Sequence, residues 1–223
     1  MNIHEGHRAR MKKRFLTHGL DNFDDVNVLE LLLFYALPRR DTNRIAHALL
    51  KRFGSLSGVL DARAEDLVTV EGVGENAACL LRLIPALSQR YVIDKTPQTE
   101  PVDTPTLAGR YFLPYFLYET EEVVRALLLD ARRRPLLCQE VGRGVVNAAE
   151  VRARQLAELC LAHRASGVIL AHNHPSGVAM PSAEDELLTT RLAKALSLLG
   201  VELCDHIIVA GCEYVSMRES GML

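Results

Sequence analysis

No apolar run in the 223-residue chain approaches the ~18 residues of a membrane-spanning helix, and the opening segment MNIHEGHRARMKKRF lacks the hydrophobic centre of a secretory signal. The sequence therefore predicts a soluble globular protein, outside any membrane, with the cytoplasm as its default compartment. Cysteine pairing is also missing. Cys79, Cys138, Cys160, Cys204 and Cys212 form an odd, scattered set without C-x-x-C spacing, so neither a disulfide framework nor a thiolate zinc knuckle is implied and the thiols are expected to be reduced. There is little excess of either charge. A formal net charge of −2 argues against an overtly basic nucleic-acid binder. The most positive stretch, Arg8, Arg10, Lys12, Lys13 and Arg14, fits either a contact along phosphates or a solvated helix face.

What the chain does have is enough apolar content, 48%, for real cores, and enough length for one large or two small domains. Residues 7–92 read as short helices separated by brief breakers. Residues 26–37, VNVLELLLFYAL, are apolar nearly all round and predict a central buried helix ended by Pro38. Asp41 then starts another helix, with Ile45, Ala46, Leu49 and Leu50 inward and Gly54 closing it. A short helix leads into Gly72-Val73-Gly74 and a further helix, the pattern of a helix-hairpin-helix element. Glycines in such a turn let the backbone approach a phosphate, and the amides of the following helix N-terminus attract its charge, so Gly72, Val73 and Gly74 are candidate contacts to DNA without sequence reading. The competing reading is a packing hairpin, since Glu71 and Glu75 stand where phosphate binders tend to offer Lys or Arg. Residues 94–106 carry three prolines and few apolar groups, which marks a linker between domains at 1–93 and 107–223.

In the second domain, residues 123–129 and 136–146 predict an antiparallel hairpin with Ala131-Arg132-Arg133-Arg134 at its tip. A helix capped by Asn147 follows, with Val151, Leu156, Leu159 and Cys160 inward. Residues 168–171, Val-Ile-Leu-Ala, predict a buried strand that feeds a polar turn closed by Pro175 and Gly177. His172 and His174 stand at its end. Side chains of an extended segment repeat every two residues, so both imidazoles face one side and Asn173 the other. Ser182 then precedes an amphipathic run (Leu187, Leu188, Leu192, Ala195, Leu196, Leu199) and is placed as a helix N-cap, with Asp185 in the first turn. Two imidazoles and one carboxylate leave a fourth position on zinc for water, as in hydrolytic sites. Ser182-x-x-Asp185 also reads as a capping box with no chemical role. Residues 201–210 supply a last strand, for the order β-β-α-β-α-β.

The motif H-x-H-x7-S-x-x-D resembles the signature of the JAMM (JAB/MPN) metalloproteases, and the fuller AHNHPSG, PSAED and LLGVELCDHIIV segments are similar to the bacterial RadC proteins over nearly the whole chain. That resemblance implies an α+β fold: an N-terminal all-α helix-hairpin-helix domain plus a C-terminal JAB/MPN, cytidine-deaminase-like α/β/α domain with a mixed sheet. It implies one zinc ion held by His172, His174 and Asp185, and Ser182 as hydrogen-bond donor to the developing oxyanion. It also requires an upstream glutamate as general base. The Glu121-Glu122 pair, Glu140 and Glu150 could supply it. Glu122 is chosen, because Glu122 to Asp130 keeps the eight-residue offset of the family's E-h-F-x-x-l-x-L-D pattern, and Glu140 is the runner-up. Gly142 departs from the family, where a bulky apolar residue is commoner. His206 reads as a partnered strand-end histidine or a support for the metal ligands.

The function these readings imply is a zinc-dependent metallopeptidase or isopeptidase acting on a peptide or protein substrate. The alternative is a DNA-binding or DNA-repair-associated protein whose zinc domain is a non-catalytic scaffold. A metal-dependent nuclease fits less well, because such sites usually gather several carboxylates around magnesium or manganese.

Overall fold

The computed structural model describes residues 3–97, 99–144 and 153–223. Asn147, Glu150 and Val151, three positions named above, lie outside them. Chain contacts divide the molecule into two compact units, Met1–Ser88 and Gln89–Leu223.

The first unit is helical: α1 (Ile3–His18), α2 (Asp25–Ala36), α3 (Thr42–Phe53), α4 (Leu56–Asp61), α5 (Ala64–Leu67) and the start of α6 (Glu75–Lys95). Local chemistry sets the ends. Asp24 accepts from the Asn27 amide and Asp41 from the amides of Asn43 and Arg44, while Gly54 closes α3 at φ 86°, a conformation that needs no Cβ. Leu29, Leu33, Ile45, Ala46, Leu49, Val59, Leu67, Val73, Ala77 and Leu81 form the core. Two of the N-terminal cations work inside this unit. Arg8 donates to the carbonyls of Leu37 and Arg40 beyond the C-terminus of α2 and lies over Phe34, and Arg14 donates to Asn22 and Asn27. The basic stretch is thus in part a clasp for α2.

The second unit contains α7 (Pro105–Phe112), a 3₁₀ turn (Leu113–Phe116), β1 (Val123–Leu129), β2 (Pro135–Arg143), α8 (Ala153–Ala162), β3 (Gly167–Asn173), α9 (Ala183–Ser197), β4 (Glu202–Ala210) and β5 (Glu213–Ser216). The strands form an open mixed sheet in the order β2-β1-β3-β4-β5, parallel only between β3 and β4. β5, a four-residue edge strand after the Gly211-Cys212 turn, adds to the predicted order.

All seven residues of β3 are buried, because both faces of the sheet are covered. Val168 and Leu170 pack with Val124, Leu156, Leu188, Leu192 and Leu196 under α8 and α9. Ile169 and Ala171 pack with Phe112, Leu127, Ile207 and Val209 under α7. Each such side chain contributes ~1.5–3 kcal/mol on burial, so the strand's position is strongly fixed. α9 buries Asp185, Leu188, Thr189, Leu192 and Leu196, a face that repeats every three or four residues. Leu187 and Leu199, expected inward, are exposed, the first because it falls off that face and the second because it lies beyond the end of the helix.

The pairing shifts register at three places, one at Leu128/Leu129 beside the β1–β2 turn and two at bulges further along. In β2, Gln139 and Glu140 pair with Ala126 and Arg125 but Gly142 pairs with Val124, so Val141 is the extra residue beside the unusual glycine. In β4, Leu203 pairs with Val168 and Asp205 with Ile169, which makes Cys204 the extra residue. From there on, the even-numbered residues of β4 face α9.

Candidate metal centre

His172 ends up under α9 by strand parity, on the same face as Val168 and Leu170 and opposite the first turn of the helix. His174 follows two residues later, at the turn. Asp185 points down from α9, and one ligand atom from each of the three lies within 4.8 Å of the others. His172 Nε2 stands 2.9 Å from His174 Nε2 and 3.2 Å from Asp185 Oδ1, and His174 Nε2 stands 3.6 Å from Asp185 Oδ2. His172 and Asp185 are buried and His174 reaches the surface.

Hydrogen-bond valence shows which ring atoms carry protons. His174 Nδ1 lies 2.9 Å from the carbonyl oxygen of Val178, which can only accept, so Nδ1 carries a proton and, in the neutral ring, Nε2 is the bare nitrogen. His172 Nδ1 faces His206 Nε2 at 2.9 Å, so its Nε2 is the atom turned to the cluster. Lone pairs and a carboxylate facing one another at these distances repel unless a cation, a metal or a proton, stands among them. The donor set therefore fits a metal, and imidazole nitrogens with one carboxylate oxygen suit zinc among other divalent ions. Burial would raise the Asp185 carboxyl, but a protonated His172 facing it and the bonds from Ser182 outweigh this and hold it well below the usual carboxylate range.

Ser182 forms the capping box. Its hydroxyl and its amide both donate to Asp185 Oδ2, each at 2.7 Å, and its oxygen accepts from the Asp185 amide at 3.2 Å. The helix cap thus aims a metal-ligand candidate, so the two readings of this serine are compatible.

Asn173 is buried on the opposite side from the histidines, as strand parity requires. Its carboxamide accepts from the Val123 amide at 2.8 Å and donates to the Glu121 carbonyl at 2.9 Å. These bonds bracket Glu122. Val124 is the partner of His172 across β1 and β3, and Glu122, half-buried, lies two residues before it in the chain. Glu140 stands elsewhere. It is paired with Arg125, whose guanidinium lies over Tyr115 on the α7 face of the sheet, and Arg143 bonds it and holds its carboxyl below the ordinary value.

Gly72, Val73 and Gly74 lie together in the turn between α5 and α6, but their surroundings differ. Val73 is buried and its amide donates to the Val70 carbonyl, whereas Gly74 is exposed. Gly72 has φ 93°, a conformation that strains any L side chain, and a Cβ there would also meet the Ile45 side chain at 2.9 Å, so the local backbone accounts for the glycine. Glu71 pairs with Arg44 at 3.6 Å.

A family model described as the RadC-like JAB domain matches residues 102–222. The UPF0758 protein of Bordetella bronchiseptica is 36% identical over 212 residues, covering 95% of this chain and 94% of that protein. UPF0758 proteins of Idiomarina loihiensis and Methylibium petroleiphilum are 35% and 37% identical over 214 residues, 96% of each chain. The chain belongs to the RadC family. In this RadC-family chain the histidine pair and Asp185 fall inside the matched JAB domain. Thr189 and His206, which bond Asp185 and His172, and Asn173, which bonds the backbone around Glu122, were not singled out as a group by the sequence; parity alone could have placed Asn173 against β1. Among the described residues no helix is long and apolar enough to cross a membrane.

Proposed function

We propose that this RadC-family protein is a zinc-dependent hydrolase of amide bonds in a peptide or protein, of peptidase or isopeptidase type. The observation that carries the reading is the convergence of two imidazole nitrogens and a buried carboxylate at the end of a central strand. His172, His174 and Asp185 hold the metal. Zinc, when bound, supplies Lewis acidity, which polarises a carbonyl and brings the pKa of water from ~15.7 towards ~7. Glu122 accepts the proton of the attacking water on its carboxylate and returns it to the leaving amine, a contribution of roughly 10²–10⁴-fold. The Asn173 bonds to Val123 and Glu121 fix the backbone on either side of Glu122. Ser182 turns its hydroxyl from Asp185 to the developing oxyanion, and such a donor is worth about 3–4 kcal/mol. Breaking the bond to Asp185 costs on the order of 1–3 kcal/mol, so the exchange is within reach.

The test is cleavage of peptide and isopeptide libraries by the zinc-loaded full chain, with Glu122→Ala as control. Turnover by the wild type and its loss in the variant is the expected result. A zinc-loaded wild type that cleaves neither library would favour the scaffold reading, in which the helical unit binds DNA. That reading has less support, since Arg8, Arg14 and the Val73 amide already have partners within the protein. Salt-dependent DNA binding by the full chain would strengthen it.

A further inference from the structure

Two polar side chains outside the ligand set, Thr189 and His206, are fully buried under α9 and have no part in the chemistry above. They form a line that ends on a metal-ligand candidate. Thr189 Oγ1 lies 2.6 Å from the Asp185 carbonyl oxygen and 2.7 Å from His206 Nδ1, and His206 Nε2 lies 2.9 Å from His172 Nδ1. The direction of every bond follows from valence. A carbonyl cannot donate, so the single hydroxyl proton of Thr189 goes to Asp185. Thr189 Oγ1 must then accept from His206, whose proton is on Nδ1. The His206 ring is fully buried between Thr189 and His172, a setting that favours the neutral ring with one proton. Its Nε2 is bare and accepts from His172 Nδ1–H. His172 Nε2 is left bare, facing His174 and Asp185.

We propose that Thr189 and His206 are positioning residues that lock His172 in the Nδ1–H tautomer and so prepare its Nε2 as a donor before a metal arrives. The proposal rests on the metal-site reading above and adds to it the residues that make His172 a ligand. Neutral imidazole in water favours the opposite tautomer, with the proton on the very nitrogen that must bind. His174 obtains the same result from a backbone carbonyl, which no side-chain substitution removes. The side-chain route to His172 is therefore the one open to mutation.

Long-range proton–nitrogen-15 spectra of the metal-free full chain, recorded on the alkaline side of the imidazole titrations, read the tautomers directly. The wild type is expected to show His172 and His206 both protonated at Nδ1. Thr189→Val keeps the shape but removes the acceptor. It should turn His206 to Nε2–H, take His172 out of the Nδ1–H form and weaken zinc binding about 10–100-fold, and Thr189→Ser should restore both. Protonation of His172 at Nε2 in the neutral wild type would overturn the proposal. So would a Thr189→Val protein with the His172 tautomer and zinc affinity of the wild type. If Thr189→Val does not fold, the wild-type spectrum decides alone. A wild type with the Nδ1–H tautomer but no zinc binding would support the lock and sink the hydrolase reading.

Discussion

The carboxamide oxygen of Asn173 accepts the Val123 amide proton at 2.8 Å, across fifty residues of chain and in a buried setting. Removing it leaves a buried N–H without a partner, which costs ~1–3 kcal/mol. Asn173→Ala is therefore expected to lower unfolding free energy by that amount in urea titrations. Zinc stoichiometry should stay at wild-type level, since Asn173 points away from the ligands. Loss of metal in this variant would contradict the separation of the two faces of β3.

The ligand assignment has its own test. His172→Ala and Asp185→Ala should each abolish stoichiometric zinc in the purified full chain, measured by elemental analysis. Ser182→Ala should keep the metal while losing about 1 kcal/mol of helix capping, read from thermal unfolding. Metal retained in both ligand variants would remove the assignment.

Thiol reactivity follows burial. Cys138 and Cys160 have pKa values pushed up to about 11 by burial, and Cys204 is raised for the same reason. At pH 8 the thiolate fraction of the first two is about 100-fold below that of an ordinary thiol with a pKa two units lower. Alkylation of the folded protein followed by mass mapping should mark the exposed Cys79 and Cys212 first. Labelling of Cys138 should accelerate as pH rises towards 11.

Packing against β5 depends on a glycine. A Cβ on Gly109 of α7 would stand 2.3 Å from the ring of Tyr214. Gly109→Ala should destabilise the second unit by ~1–3 kcal/mol through overpacking, measured by chemical denaturation.

The helices of the first unit were legible because their ends are written in side chains: Asp41 before α3, Gly54 after it. Residues 168–171 announced a buried strand, and the two-residue spacing of His172 and His174 announced a common direction. Other parts were not readable. Simple alternation through Leu203, Cys204, Asp205 and His206 would turn Asp205 towards α9 and His206 away from it. The bulge at Cys204 reverses this, and a bulge of one residue leaves no periodic trace in a segment so short. That Glu140 pairs with Arg125, on the face of the sheet covered by α7, was likewise readable only once β2 was in register with β1. Leu187 looked equivalent to Leu188 because both are leucines next to one another, while the helix can turn only one of them inward.

β3 is the middle strand of five, hydrogen-bonded on both sides and covered on both faces. Fraying of an edge or opening of a surface loop does not reach His172. An ion held by the proposed ligands would have to enter and leave past the partly exposed His174, with the inner ligand joining last.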